Sequence, residues 1–178
     1  MSPPHRAGTA RDAWNESAFR RIYIASFLSN AGRWMQTAAL GVLAWEISES
    51  SAYLGAVIFA QLGPLAILSL IGGSLADSVD RRKLLLATQI WQMGWTVVLA
   101  VMVVDGTIGK GMLLLLVFVI GLGQGIYAPA FTSVLPSLAG RRNLSAAIAL
   151  NSAQVNAARV VGPAIGGWMT SQLGFAEV

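Results

Sequence analysis

The sequence has no cysteine, a single histidine and few charged residues. Without cysteine it can form neither a disulfide nor a thiolate metal site. His5, the only histidine, lies in a polar N-terminal stretch, which excludes a Ser–His–acid triad or a histidine metal site within the apolar part of the chain. No Asp or Glu falls deep inside an apolar run, so a paired-carboxylate site is excluded as well. These absences argue against an enzyme, and the sequence predicts no cofactor.

Long runs without charge are the main positive feature of the chain. Of its 178 residues 55% are hydrophobic and 11% are charged, whereas soluble domains carry about 25% charged residues. The runs 50–76, 84–104 and 111–140 contain no charged residue. Two further apolar runs are each interrupted by one arginine, Arg33 or Arg159. Runs of about 18 or more apolar residues indicate membrane spans.

We therefore predict an all-α membrane protein with five transmembrane helices, because lipid offers no hydrogen-bond partner to an open backbone. The expected helices cover about 22–47, 52–79, 84–104, 112–137 and 144–173. Residues 1–21 are expected to form a polar cytoplasmic lead.

The distribution of charge predicts how the helices are oriented. Basic residues alternate with acidic loops along the chain, and they lie before the first span, after the second and after the fourth: Arg6, Arg11, Arg20, Arg21; Arg81, Arg82, Lys83; Arg141, Arg142. Since basic loops stay in the cytoplasm, we expect a multi-pass protein of the cytoplasmic (inner) cell membrane with its N-terminus inside. The net charge of +4 then reflects topology, and no nucleic-acid partner is expected.

The loop "GGSLADSVDRRK" closely resembles the signature loop of the major facilitator superfamily of secondary transporters. Gly73, Asp77, Arg81 and Arg82 match its spacing, and Asp80 stands where the general pattern prefers glycine. The drug and siderophore exporters called transmembrane secretion effectors commonly have aspartate there. An ordinary basic loop would explain the arginines but neither Asp77 nor the spacing.

The same resemblance implies that this loop is a cytoplasmic gating motif. A carboxylate at the C-terminal end of a helix is unfavourable against the helix dipole. Asp77 therefore needs a cationic partner, and Arg81 or Arg82 is within reach. In the family this cluster also faces a helix of the other half, and making or breaking it biases which side is closed. Gly73 would leave room for that helix.

The fifth span, "ALNSAQVNAARVVGPAIGG", resembles the antiporter motif of the family. After Arg159, the motif residues Gly162, Pro163, Gly166 and Gly167 match in order. Pro163 removes one backbone hydrogen bond, while Gly162 and Gly166 share a face and admit a close neighbour. Generic helix packing would predict small residues but not this order.

One residue expected from the resemblance is missing. The fourth-helix motif of the superfamily usually places an arginine three residues before a Gln-Gly pair, but here Gly121 precedes Gln124 and Gly125. A basic residue that often follows Pro-Ala in the subgroup is Phe131. The absence of this arginine weakens the argument for coupling to protons. The energy source, an ion or a proton gradient, is therefore left open.

Polar residues inside the spans are the candidates for lining a pathway. Ser26, Asn30, Arg33 and Thr37 form one stripe on the first helix, and Ser152, Asn156 and Arg159 form another on the fifth. The substrate pathway candidates are Asn30, Arg33, Thr37, Gln124, Tyr127 and Asn156. A deep arginine should face protein or water. For Arg33 we favour the pathway, whereas for Arg159 a pathway role and a structural role stay open.

The segments "QLGP" around Pro64 and "VVGP" around Pro163 echo each other, as the inverted three-helix repeats of such transporters require. Five spans are one short of the six-helix half that the resemblance implies, so 22–178 is expected to be a partial N-terminal half. The expected partners are the bilayer, a small-molecule substrate, and a missing C-terminal half or a partner chain.

The resemblance implies secondary active transport, namely export of a small amphiphilic or anionic molecule of the drug or siderophore class by alternating access. The alternative is a truncated, non-transporting membrane piece that assembles with a partner.

Overall fold

The computed structural model describes residues 14–78 and 80–173, with side chains described except at positions 18, 69–78, 135–142, 170, 172 and 173. In these ranges the chain forms long helices and no strand. The helices are α1 (Ser17–Ser48), α2 (Ser51–Ser78), α3 (Arg81–Val104) and α4 (Lys110–Leu173). The expected lead falls mostly on residues 1–13, which lie outside the described part.

A short connection makes α1 and α2 antiparallel neighbours. Glu49 ends α1 in a left-handed conformation with φ 49°, and its N–H donates to the Trp45 carbonyl. The next helix begins at Ser51. Farther along the pair, the Gln61 amide Nε2 donates to Thr37 Oγ1 at 2.9 Å. The two helices therefore run side by side in opposite directions.

The first part of α4 runs parallel to α2. Gly121 of α4 lies against the Gln61 carbonyl, and Gly125 lies against Leu68, so both chains advance together. We call this part α4a (Lys110–Val134). The main core of the molecule lies between α4a, the last part of α1, the first part of α2 and the last part of α3.

The second part of α4 runs parallel to α1 instead. Gly162 lies against Ala31 and Gly166 against Met35, again in the same order along both helices. We call this part α4b (143–173). Since α1 and α2 are antiparallel, α4a and α4b must be antiparallel too. The chain thus reverses between them although residues 110–173 are assigned to one helix, and the reversal agrees with the two separate spans that the sequence predicts here.

Length supports this reversal. A straight helix of the 64 residues assigned to α4 would be about 96 Å long, roughly three times the hydrocarbon thickness of a bilayer. With the reversal, the chain crosses the bundle five times. Three of these segments are long and apolar enough to span a membrane: Ser51–Leu68, Arg81–Val104 and Lys110–Val134. The other two, α1 and α4b, each carry one central arginine. The chain is an all-α membrane protein, as its charge-free runs predict.

The packing pairs the first helix of one repeat with the second helix of the other. In this order α1, α2 and α3 form the first repeat, and α4a and α4b begin the second. The helix α2 packs on α4a, and α4b packs on α1, with the same relative direction in both pairs. This arrangement agrees with the inverted repeat suggested by Pro64 and Pro163, since an inverted repeat exchanges these two contacts.

The helix directions place the basic segments together. The start of α1, the start of α3 and the reversal between α4a and α4b all lie at one end of the bundle, which we call the basic end. Arg81 of α3 donates to the Ser133 carbonyl of α4a there at 3.0 Å. Glu49 and Asp105 lie at the opposite end. The alternation of charge along the sequence is thus a separation of charge in space.

Candidate functional site

Polar side chains of α1, α2 and α4a meet inside the bundle. We call this group the inner polar cluster: Ser26, Asn30, Arg33, Thr37, Gln61 and Tyr127. The guanidinium of Arg33 donates to Asn30 Oδ1. Thr37 Oγ1 donates to the Arg33 carbonyl at 2.9 Å and accepts from Gln61 Nε2 at 2.9 Å. Tyr127 and Ser26 line the same cavity, and Tyr127 lies near Arg33.

This cluster joins three helices through a charge at membrane depth. Arg33 is half-buried and contributes at least one of its donors to a partner on its own helix. Such a placement satisfies the requirement that a deep arginine face protein rather than lipid. Four of the pathway candidates, Asn30, Arg33, Thr37 and Tyr127, are therefore brought together. Their role in transport stays a prediction.

Gln124 lies one turn before Tyr127 on α4a and therefore shares its face. Its side-chain oxygen Oε1 is buried and accepts no hydrogen bond from the described residues. The Gln154 side chain of α4b is also buried, at 2% exposure, with its Nε2 bonded to Asn151 and its Oε1 without a donor from the described part. Sequence reasoning missed Gln154, because it lies outside the polar stripe of Ser152, Asn156 and Arg159 on the same helix.

A second polar group lies on the outer surface of α4b. We call it the Arg159 face: Ser152, Asn156, Arg159 and the neighbouring Trp34 of α1. Arg159 and Asn156 are exposed, and the Asn156 amide donates to the Ser152 carbonyl at 3.0 Å. The Arg159 guanidinium lies over the Trp34 ring, with Cζ 4.9 Å from the ring centroid. Sequence reasoning found Asn156 and Arg159 but missed Trp34, since the pairing needs the contact between α1 and α4b.

Two glycines of the antiporter-type motif make that contact close. A Cβ on Gly162 would stand 2.6 Å from the Ala31 carbonyl oxygen, and one on Gly166 would stand 2.6 Å from Met35 Cγ. Real Cβ atoms do not come that near, so only glycine fits at these two positions. A Cβ on Gly167 would meet nothing within 4 Å. Pro163 is half-buried beside them, and the helix assignment continues through it.

The expected gating motif is described only in part. The surroundings of Gly73 and the side chain of Asp77 lie outside the described residues, so the expected pairing of Asp77 with Arg81 or Arg82 stays a prediction. Asp80 has a local role, because its carboxylate accepts from the backbone N–H groups of Arg82 at 2.9 Å and Lys83 at 3.5 Å and caps α3. An aspartate directly before a helix is a sequence signal for such a cap. Arg81 reaches across to α4a at Ser133.

A cavity of about 500 Å³ lies between α1, α3 and α4a near the basic end. Serines, an amide and a phenol contribute its polar wall, two arginines stand at its edge, and the rest is apolar. The polar and charged lining residues are Arg21, Ser26, Ser29, Arg82, Gln89 and Tyr127. None of the described lining residues is acidic. Sequence reasoning did not assemble this cavity, because three helices distant in the sequence contribute to it.

The missing arginine of the fourth helix has a steric explanation. A Cβ on Gly121 would stand 2.7 Å from the Gln61 carbonyl oxygen and 3.3 Å from Pro64 Cγ. One on Gly125 would stand 2.9 Å from the Pro64 carbonyl oxygen. Glycines four apart are a signal for close helix packing in membranes. Here they seat α4a on α2, which leaves no space for a longer side chain at Gly121.

The chain is a bundle of several spans that carries charged and amide groups at membrane depth. Glycines allow two pairs of its helices to pack closely. This architecture is that of a membrane transporter. The chain belongs to the transmembrane secretion effector family of the major facilitator superfamily, since the model of that family matches residues 10–178. No solved structure matches the chain significantly.

Two curated relatives are transporters by name. The chain is 28% identical over 147 residues to the staphyloferrin A transporter of Staphylococcus aureus strain NCTC 8325 / PS 47, covering 82% of this chain and 37% of that protein. It is 27% identical over 175 residues to the enterobactin exporter EntS of Shigella boydii serotype 18, covering 89% of this chain and 38% of that protein. The chain thus spans little more than a third of these relatives. It is a multi-pass protein of the cell membrane.

Proposed function

We propose that residues 22–178 are part of the N-terminal six-helix half of an exporter that moves a small amphiphilic or anionic molecule of the drug or siderophore class by alternating access. Membership of the family and the names of the two relatives support export in general. The substrate class and the mechanism are our proposal, as is the cytoplasmic position of the basic end, which follows from the positive-inside rule.

The observation that carries the proposal is the Arg159 face. Arg159 lies near the middle of α4b, and its side chain is exposed on the described bundle. A charge at the centre of a bilayer costs at least about 2.5 kcal/mol against lipid. This surface must therefore face water or protein in the membrane. A transporter of two halves provides such a water-filled interface, and the relatives are long enough to contain the second half.

The cavity at the basic end and the gating motif suggest how one side could open and close. Arg82 belongs to the motif and also lines the cavity, while Arg81 contacts the end of α4a. A change in the pairing of Asp77 would thus move groups at the cavity edge. The proposal requires no bound cofactor and takes an ion or proton gradient as the source of energy.

The test is transport by the full-length protein in proteoliposomes. An anionic siderophore loaded on the basic-end side should cross to the other side faster with an imposed ion or proton gradient than without it. Empty liposomes and the Asp77→Asn variant serve as controls. The proposal would be refuted if the substrate crossed no faster with the protein and the gradient than it crosses empty liposomes.

The Arg159 face also suits a second candidate, a non-transporting five-span chain that assembles with a partner, since a partner helix would cover the same polar surface. The coding sequence beyond Val178 separates the two, because a transporter requires further apolar spans there or on a partner chain. Co-purification of the chain with such a partner and absence of transport would favour the second candidate.

A further inference from the structure

We infer that Arg159 and Trp34 together form a binding subsite for a flat anionic group, such as an aromatic carboxylate, on the transported molecule. This inference rests on the proposed function, and it assigns to one surface a chemistry that the proposal leaves general. It is carried by the position of the guanidinium, the charges around it and the way the two helices hold it.

The first step concerns charge. Between Asp105 and Glu177 the sequence contains no acidic residue, so α4b has none of its own. Within the described residues Arg159 has the Trp34 ring as its partner and forms no ion pair. A ring face offers partial negative charge worth roughly 0.5–2 kcal/mol, far less than a carboxylate at low dielectric. The described residues therefore orient this positive charge at mid-depth but do not neutralise it.

The second step concerns geometry. The Arg159 guanidinium lies over the Trp34 ring, and a planar guanidinium can hold a carboxylate with two parallel hydrogen bonds. Trp34 is half-buried, and the indole surface beside the guanidinium offers an apolar contact to the ring of the bound anion. A planar anion would thus find both a fork and a platform in one place. A lysine ammonium would offer neither the planar fork nor the stack.

The third step concerns rigidity. Gly162 lies one turn after Arg159 on α4b, and a Cβ at Gly162 would stand 2.7 Å from Trp34 Cβ. The close approach of the two backbones therefore fixes the distance between the helix that carries the arginine and the helix that carries the ring. The glycines of the antiporter-type motif would set the dimensions of the subsite, which gives this part of the motif a role in recognition.

Comparison with Arg33 sharpens the assignment. Arg33 is half-buried in the inner polar cluster, and its guanidinium donates to Asn30 on the same helix. Arg159 is exposed and has an exposed amide, Asn156, one turn away on the same surface. Of the two deep arginines, Arg159 is the one whose surroundings suit a ligand that comes and goes.

The experiment measures binding by the full-length transporter in lipid nanodiscs, using equilibrium dialysis with radiolabelled 2-naphthoate and with its neutral isostere 2-naphthamide. Empty nanodiscs give the background. Arg159→Gln should weaken naphthoate binding about 10-fold or more, as expected for loss of a charge-assisted hydrogen bond. It should change naphthamide binding less than about 2-fold by the same reasoning. Arg159→Lys should restore naphthoate binding only in part.

The ring is tested separately. Trp34→Leu should weaken both compounds, because both use the aromatic surface, and Trp34→Phe should retain most of the binding. Arg20→Gln removes an exposed charge at the basic end and is the matched control, so it should leave both compounds unaffected. Size-exclusion profiles exclude misfolded variants.

Several results would overturn the inference. Absence of naphthoate binding by the wild-type protein would do so, as would equal losses for naphthoate and naphthamide in Arg159→Gln, which indicate a structural arginine. An equal effect of Arg20→Gln would indicate general surface charge. If the wild-type protein exports substrate but naphthoate binding is unchanged by Arg159→Gln, the subsite is refuted while the proposed function stands. If the wild-type protein exports nothing, the proposed function fails whatever naphthoate does.

Discussion

Gly162 of α4b lies directly against the backbone of Ala31 in α1, so near that a Cβ at the glycine would stand 2.6 Å from the Ala31 carbonyl oxygen. The contact joins two helices at the depth where each carries its central arginine, Arg33 or Arg159. Gly166 makes the same kind of approach to Met35, whereas a Cβ on Gly167 would meet nothing within 4 Å. Four predictions test this and the other contacts, and a fifth tests topology.

The first prediction concerns the glycine contacts. Gly162→Ala and Gly166→Ala should each lower stability by about 1–3 kcal/mol, because the added methyl group overpacks the α1–α4b contact. Thermal unfolding of the full-length protein in detergent measures the loss. Gly167→Ala is the control on the same helix, since a Cβ there meets nothing within 4 Å. Equal melting temperatures for all three variants would contradict the packing described here.

The second prediction concerns the arginine missing from the fourth helix. Gly121→Arg restores the arginine that the family usually has, but it should prevent correct folding. Even a Cβ at position 121 would stand 2.7 Å from the Gln61 carbonyl oxygen, and an arginine is much larger. We expect loss of the monodisperse peak in size-exclusion chromatography. Gly111→Arg, in open space at the start of α4a, should fold normally. A folded, proton-coupled Gly121→Arg protein would show that the contact is wrong.

The third prediction concerns Arg33. Arg33→Gln should destabilise the protein by about 1–3 kcal/mol, because it removes a charged donor from a partly buried network and leaves Asn30 Oδ1 without it. Arg159→Gln should cost less, since that side chain is exposed. Melting temperatures of the two variants give the comparison. The reverse order would mean that Arg159, not Arg33, holds the bundle together.

The fourth prediction concerns the gating motif. In the full-length protein Asp77→Asn should strongly reduce transport while membrane insertion stays normal, because a neutral amide no longer pairs with the nearby arginines. Arg81→Ala should also reduce it by removing the link to Ser133. Asp105→Asn, at the opposite end of the bundle, should have little effect. Normal transport by Asp77→Asn at normal expression would refute the gating hypothesis.

The fifth prediction concerns topology. Residues 1–178 contain no cysteine, so within this part of the protein a single introduced thiol is the one site that a maleimide can label. In intact cells a membrane-impermeant maleimide should label Thr107→Cys, which is exposed at the end opposite the basic end. It should not label Lys83→Cys, which is exposed at the basic end. Labelling of both after lysis is the control. The opposite pattern in intact cells would invert the proposed orientation.

The sequence was sufficient for the fold class, because long charge-free runs allow few architectures in a bilayer. It also identified the glycines of α4b by their order. It could not show that Gly121 and Gly125 let α4a pack closely on α2. The sequence shows that the arginine is absent, but the Gln61 carbonyl that leaves no space for it is seen only in the structure. Nor could it pair Arg159 with Trp34, which lie on different helices. Contacts between distant helices depend on helix rotation, which a polar stripe on one helix leaves undetermined.

The partner that α1 finally packs against is made late. Ala31 and Gly162 are roughly 130 residues apart, so at a synthesis rate of about 5–20 residues per second α1 waits on the order of 10 seconds for α4b. During that time a helix with Arg33 near its centre first lacks both α4a and α4b and then α4b alone. Such a segment needs shelter from lipid, and the insertion machinery of the cell is the obvious source of it. The architecture thus makes the final packing of α1 depend on the fifth span.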